Sequence, residues 1–244
     1  GAGALGAPPA VLGDAAPMLA GGGAVTYVTL DDVSWAGLPD RLEAGSPNVV
    51  GAVALATAAS ALQEIGLDRI AAHERALCAH MDERLARLPR VRPLRLWQGD
   101  TVDRLGVCTF TVDGMEHALL AAVLSAEHGI GVRHGCFCAH PYITHLLGIG
   151  GDESARIRTR LRRGEHHEIP GAVRASFGIA STEAHIDRLV DALDEVIRIG
   201  PRLQYREDPE TGDHHPVDDR RAFPAFDGLP DLEQVATGVA CGQF

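Results

Sequence analysis

Two thiols, two imidazoles and a guanidinium fall within the nine residues from Arg133 to Pro141, which read Arg-His-Gly-Cys-Phe-Cys-Ala-His-Pro. A thiol attacks as its thiolate, and a neighbouring cation such as Arg133, or His134 when protonated, raises the thiolate fraction. Cys138 is the candidate catalytic nucleophile and Cys136 the second choice. Free cysteine is also a common core residue, but a segment this rich in charge and imidazole makes a poor core and a good reactive site. Metal binding is the competing chemistry, with His134, Cys136, Cys138 and His140 as four possible ligands. Structural zinc sites usually pair ligands two to four residues apart and bring a second pair from elsewhere in the chain, so this spacing argues against a metal.

Two further positions could bind an anion. Arg174 interrupts an otherwise apolar strand, Ala-Val-Arg-Ala-Ser-Phe. A guanidinium beside a core strand needs an anion, either a structural Asp or Glu or the carboxylate of a ligand. Ser46 and Pro47 precede an Ala-rich apolar run over residues 49–62, and serine before proline is a helix-start signal. The free N–H groups of a helix start suit a phosphate, although an ordinary N-cap reads the same way.

The elements that must position these residues follow from hydrophobic period and turn chemistry. Residues 49–62, apolar all round, predict a buried helix, and 67–88 an amphipathic one. Residues 92–97 and 106–112 read as strands, the second alternating Cys108, Phe110 and Val112 against Val107, Thr109 and Thr111. A helix is predicted over 116–128 and a short strand over 129–132, with the thiols in the loop where that strand ends. A short helix over 142–147, an Arg-rich polar insertion over 150–170 without a clear period, a strand over 172–177 and a helix over 181–198 complete the pattern. This order predicts a small α+β domain over 91–199, a largely antiparallel sheet covered by helices on one face. Residues 1–90 read as the remnant of a larger domain with its connecting helices, and 200–244 as a loosely ordered polar tail.

Four motifs carry a resemblance. Arg133-x-Gly135-x-x-Cys138-Ala139-x-Pro141 resembles the active-site cysteine loop of the class V aminotransferase superfamily of pyridoxal 5'-phosphate (PLP) enzymes, especially cysteine desulfurases and selenocysteine lyases. The Gly21-Gly22-Gly23 run, the Glu43-Ala44-Gly45-Ser46-Pro47-Asn48 segment and the Arg174-Ala175-Ser176 strand resemble that family's other motifs, in its order. Cys136-Phe137 stands where many desulfurases carry His-His, and the loop also looks like the molybdenum-cofactor sulfurase branch.

The resemblance covers residues 1 to about 198 and implies the C-terminal half of the aspartate-aminotransferase-like PLP fold, an α/β fold, here the end of the large domain plus the small domain. It implies a persulfide on Cys138, a role for Arg174 in binding the amino-acid carboxylate, with Arg133 as a second substrate-binding residue, and a contact from Ser46 to the PLP phosphate held by a partner subunit. It also implies a homodimer in the complete enzyme, a small amino-acid substrate and a possible sulfur-acceptor protein. Plain transamination, with Cys138 a bystander, and a non-enzymatic Cys/His scaffold are the alternatives.

The 22 basic residues are all arginines, so the chain has no lysine for the Schiff base that such enzymes form with PLP. It resembles a segment starting just after that lysine, and no PLP-dependent turnover is expected from it alone. A net charge of −11 argues against a nucleic-acid partner. No apolar run approaches the roughly 20 residues needed to cross a bilayer. Five cysteines, an odd number, and no signal-peptide pattern predict a cytoplasmic location.

Overall fold

Proline is tolerated in the first turn of a helix because its missing N–H would have no partner there, and α1 (Pro9–Leu12) begins on one. The computed structural model describes residues 1–13, 15–97, 104–167, 169–219 and Arg221, which divide into two units between Ala72 and His73. In the first unit, β1 (Val25–Val28) and β2 (Val33–Trp35) form an antiparallel hairpin, closed by the Thr29 hydroxyl accepting from the Asp32 N–H at 2.9 Å. Gly45 N–H donates to Gly22 O at 2.8 Å, so the triple-glycine run and the Glu43–Asn48 segment meet as two backbones in close approach.

Helix α2 (Val49–Ile65) is capped by Asn48, whose side chain accepts from Gly51 N–H at 2.9 Å, and not by Ser46. The cap satisfies an otherwise orphaned donor of the first turn. None of the helix's residues is buried: Val50 is 82% exposed and Val53 61%. The expectation of a buried helix is thus not met, because the first unit has too few elements to cover an apolar surface on every side.

Helix α3 (Leu67–Leu85) crosses the division, and the buried Leu77, Met81 and Leu85 belong to the core of the second unit. The boundary therefore falls earlier than the expected residue 90. Here β3 (Val91–Pro93), β4 (Val107–Val112), α4 (His117–His128), β5 (Arg133–Gly135), α5 (His140–Leu146), α6 (Gly151–Arg162), β6 (Ala172–Ser176) and α7 (Glu183–Ile199) follow in order. The four strands form one sheet in the order β3-β4-β6-β5, every pairing antiparallel. Side chains of a strand alternate between faces, so Cys108, Phe110 and Val112 of β4 and Val173 and Ala175 of β6 point into the core with Leu120 and Leu124 of α4 and Leu193 of α7. The other face carries Thr109 and Arg174, paired in register.

Three local expectations are corrected. The strand before the thiols is 133–135, not 129–132, because Gly129 takes a left-handed φ of 63° and ends α4, with Ile130 N–H donating back to Leu124 O at 2.9 Å. Residues 151–162 of the polar insertion form α6, a helix with no buried residue. Asp152 and Glu153 in its first turn and Arg160 and Arg162 in its last complement the helix dipole, which leaves no apolar period to read. Residues 200–219 are docked: β7 (Tyr205–Glu207) pairs with β8 (His214–Pro216), and the Glu127 carboxylate of α4 accepts from Arg202 N–H at 3.0 Å, Leu203 N–H at 3.1 Å and the Tyr205 hydroxyl at 3.0 Å. Apart from Arg221, the rest of the expected tail lies outside the described residues. No single described helix is long and apolar enough to cross a membrane.

Candidate active site

Strand β5 is a sheet edge, and its register with β6 sets Arg133 opposite Arg174. Like charges directly opposite each other in a sheet repel. Among the described residues no carboxylate forms an ion pair with either guanidinium, and Arg174 Nε is buried without a hydrogen-bond partner. The structural Asp or Glu that could have explained Arg174 is not found there. A carboxylate ligand would satisfy the buried donor and screen the repulsion.

The thiols lie immediately beyond β5, in a turn from Cys136 to Ala139 closed by Ala139 N–H donating to Cys136 O at 2.8 Å. Both central residues, Phe137 (φ 55°) and Cys138 (φ 59°), have positive φ. Non-glycine residues adopt this conformation at a cost of order 1–3 kcal/mol each, so their surroundings must hold them. Part of that hold is visible, since the Arg174 guanidinium carbon sits 5.0 Å from the centroid of the Phe137 ring, a cation–π contact. Cys138 at the turn's third position is exposed. Cys136 is half-buried, with its Sγ 2.9 Å from His140 Nε2 and 3.3 Å from Nδ1.

His134 points to the opposite face of the sheet edge. Its ring stacks on His117 of α4 with centroids 5.5 Å apart, and its Nε2 lies 3.3 Å from an Asp213 carboxylate oxygen. Burial and the nearby His117 push the His134 pKa below its ordinary 6.5, against the opposing pull of Asp213 and Glu116. The four candidate metal ligands therefore do not converge, and no group of three or more His, Cys, Asp or Glu among the described residues could hold a metal.

Two other thiols are placed as inert groups. Burial raises the pKa of Cys78 and pushes that of Cys108 up to about 12, so neither supplies thiolate near neutral pH. Cys108 borders an apolar cavity of about 370 Å³ with Leu94, Trp97, Leu105, Tyr142 and Leu146, which neither Cys136 nor Cys138 lines. The structure thus gathers Arg133, Arg174, Cys136 and Cys138 at one sheet edge. Ser46 belongs to the first unit, exposed and three residues ahead of α2. The sequence reading missed Phe137 as the partner of Arg174 and weighed His140 only as a metal ligand. Its four-residue spacing from Cys136 was the available signal.

The profile of the Aminotransferase class-V family matches residues 1–189. A probable cysteine desulfurase of Streptomyces coelicolor is 36% identical over 187 residues, covering 76% of this chain and 39% of that protein. One of Halobacterium salinarum is 31% identical over 189 residues, covering 78% and 40%. Among solved structures, the cysteine desulfurase CsdA of Escherichia coli aligns with a TM-score of 0.60 at 28% identity, and the apo cysteine desulfurase of Thermococcus onnurineus with 0.60 at 31%. Each alignment covers 75% of this chain and 39% of the other. The chain spans about 40% of the length of the curated relatives it matches.

Proposed function

Because this chain belongs to the class V aminotransferase family and folds as a segment of the PLP aminotransferase-like fold, we propose that it is the carboxylate- and sulfur-handling segment of a cysteine desulfurase. The observation that carries the reading is the partly buried Arg174 guanidinium, which has no ion-pair partner among the described residues and is stacked on the loop that exposes Cys138. An amino acid held by its carboxylate at Arg174 and Arg133 would lie beside that loop. The Cys138 thiolate then takes the substrate's sulfur and becomes a persulfide.

The family implies PLP, which serves as an electron sink for a substrate carbon. The residues present fit it incompletely. The chain has no lysine to hold the cofactor covalently, and what it offers is the exposed hydroxyl of Ser46 for the phosphate of a cofactor bound in a partner subunit. The role proposed for this chain is therefore confined to binding the substrate carboxylate, presenting the thiol and passing sulfur to an acceptor. A homodimer of the complete enzyme and a cytoplasmic location accompany the proposal.

A chimera tests it. Residues 1–199 replace the matching segment of the Streptomyces coelicolor relative, and sulfide release from L-cysteine is measured. Release is expected from the chimera and not from this chain alone, and Cys138→Ser should abolish it. Undiminished release with Cys138→Ser would overturn the assignment and leave a transaminating or lyase role.

A further inference from the structure

We propose that Cys136, with His140 as its proton acceptor, is a resolving thiol that discharges sulfur carried on Cys138, an inference that rests on the reading of Cys138 as the sulfur-accepting residue. Cys136 differs from the other described thiols in its surroundings. Cys78 and Cys108 are buried and held protonated, and Cys138 is exposed, whereas Cys136 Sγ lies 2.9 Å from an imidazole nitrogen. An imidazole at that distance can take a thiol's proton as a general base. His140 is itself exposed, so the proton it collects can pass on.

The turn supplies the proximity. Cys136 and Cys138 are its first and third residues, and two Cα–Cα steps of about 3.8 Å bent through a turn bring their Cα atoms to roughly 5–6 Å. That is inside the range of about 4.4–6.8 Å that a disulfide spans. The positive φ values at Phe137 and Cys138 keep the segment folded back instead of extended.

The chemistry balances without an outside oxidant. Cys136 loses its proton to His140, and its thiolate attacks Sγ of the Cys138 persulfide. A Cys136–Cys138 bond forms as the bond from Cys138 Sγ to the outer sulfur breaks. The outer sulfur leaves with the bonding electron pair and takes up the proton as hydrosulfide. The two cysteine sulfurs are oxidised to a disulfide and the transferred sulfur is reduced. A dithiol reductant is then required to reopen the pair for another cycle, so the loop would release free sulfide when no acceptor takes the persulfide first.

The test uses the full chain carrying Cys241→Ser, reduced, loaded with sodium tetrasulfide and desalted. Hydrosulfide release is followed by colorimetry, and the product by intact mass and peptide mapping. The parent should release hydrosulfide and finish two hydrogens lighter than the reduced chain, with Cys136 and Cys138 in one cross-linked peptide. Cys136→Ser should keep the extra sulfur on Cys138 and release none. His140→Gln should reach the same disulfide but about tenfold or more slowly, as expected on loss of a general base. Release from Cys136→Ser at the parent's rate, or a parent that keeps its persulfide without forming the disulfide, would overturn the resolving role. Extra sulfur absent from Cys138 in Cys136→Ser would overturn the reading of Cys138, and the resolving role with it.

Discussion

The guanidinium carbon of Arg174, on the second strand from the sheet edge, lies 5.0 Å from the ring centroid of Phe137, at the centre of the thiol-bearing turn. A cation–π contact at a partly exposed site contributes about 0.5–1 kcal/mol, enough to shift a loop equilibrium a few-fold. Phe137→Leu should therefore speed iodoacetamide alkylation of Cys138 by about two- to fivefold, read by mass spectrometry. An unchanged rate would show that the turn is held without Arg174.

On the proposed function, Arg174 also makes the carboxylate contact. Its fork can make two charge-assisted hydrogen bonds that a lysine ammonium cannot reproduce. In the chimera, Arg174→Lys and Arg174→Gln should both raise KM for L-cysteine by about tenfold or more, with a smaller effect on kcat. A KM unchanged in both variants would remove Arg174 from the binding site.

Gly171, just ahead of β6, admits no side chain. A Cβ there would stand 2.5 Å from His117 Nε2 and 2.8 Å from Gly135 Cα. His117 Nε2 is within 2.8 Å of the Ile169 carbonyl, so the ring cannot move aside without losing that hydrogen bond. Gly171→Ala should cost about 1–3 kcal/mol by overpacking, measured as a lower urea midpoint.

Glu127 anchors the hairpin through two backbone N–H groups and the Tyr205 hydroxyl. Burial, with the charge of Glu127 added to it, pushes the Tyr205 pKa upward, so the phenol stays protonated and keeps donating. Glu127→Ala should raise amide hydrogen exchange across residues 202–216 while leaving α7 protected. Unchanged exchange would mean that the hairpin is held by other contacts.

His134 makes stability depend on pH. Its folded pKa lies below the ordinary 6.5, so between the two values the unfolded chain binds more protons than the folded one, and stability rises with pH. This contribution is complete above about 6.5 and is lost as pH falls through the depressed folded value. The urea midpoint should fall on acidification from neutrality toward pH 5, about 1.5 units below the free histidine. His134→Gln should flatten the part of that slope that belongs to His134, whose ring faces His117, Asp213 and Glu116. An identical slope in the variant would assign the effect elsewhere.

Local interactions were legible in the sequence. The two-residue alternation of Cys108, Phe110 and Val112 marks β4 because a half-buried strand needs it, and the apolar stripe of Ile186, Leu189, Leu193 and Val196 marks α7 for the same reason at a helical period. The thiol loop was legible because its residue types are improbable as core. Tertiary structure decided the rest, since it depends on partners far away in the chain. The β5–β6 register makes Arg133 and Arg174 neighbours across 41 positions of sequence, and no local pattern encodes that pairing. Helix α6 carries no period because it buries nothing, and the hairpin looked like a polar tail because its anchor, Glu127, belongs to another element. The different fates of the four described thiols were decided in the same way, by depth for Cys78 and Cys108, by the His140 ring for Cys136 and by exposure for Cys138, because what a thiol does is set by the groups folding brings to it.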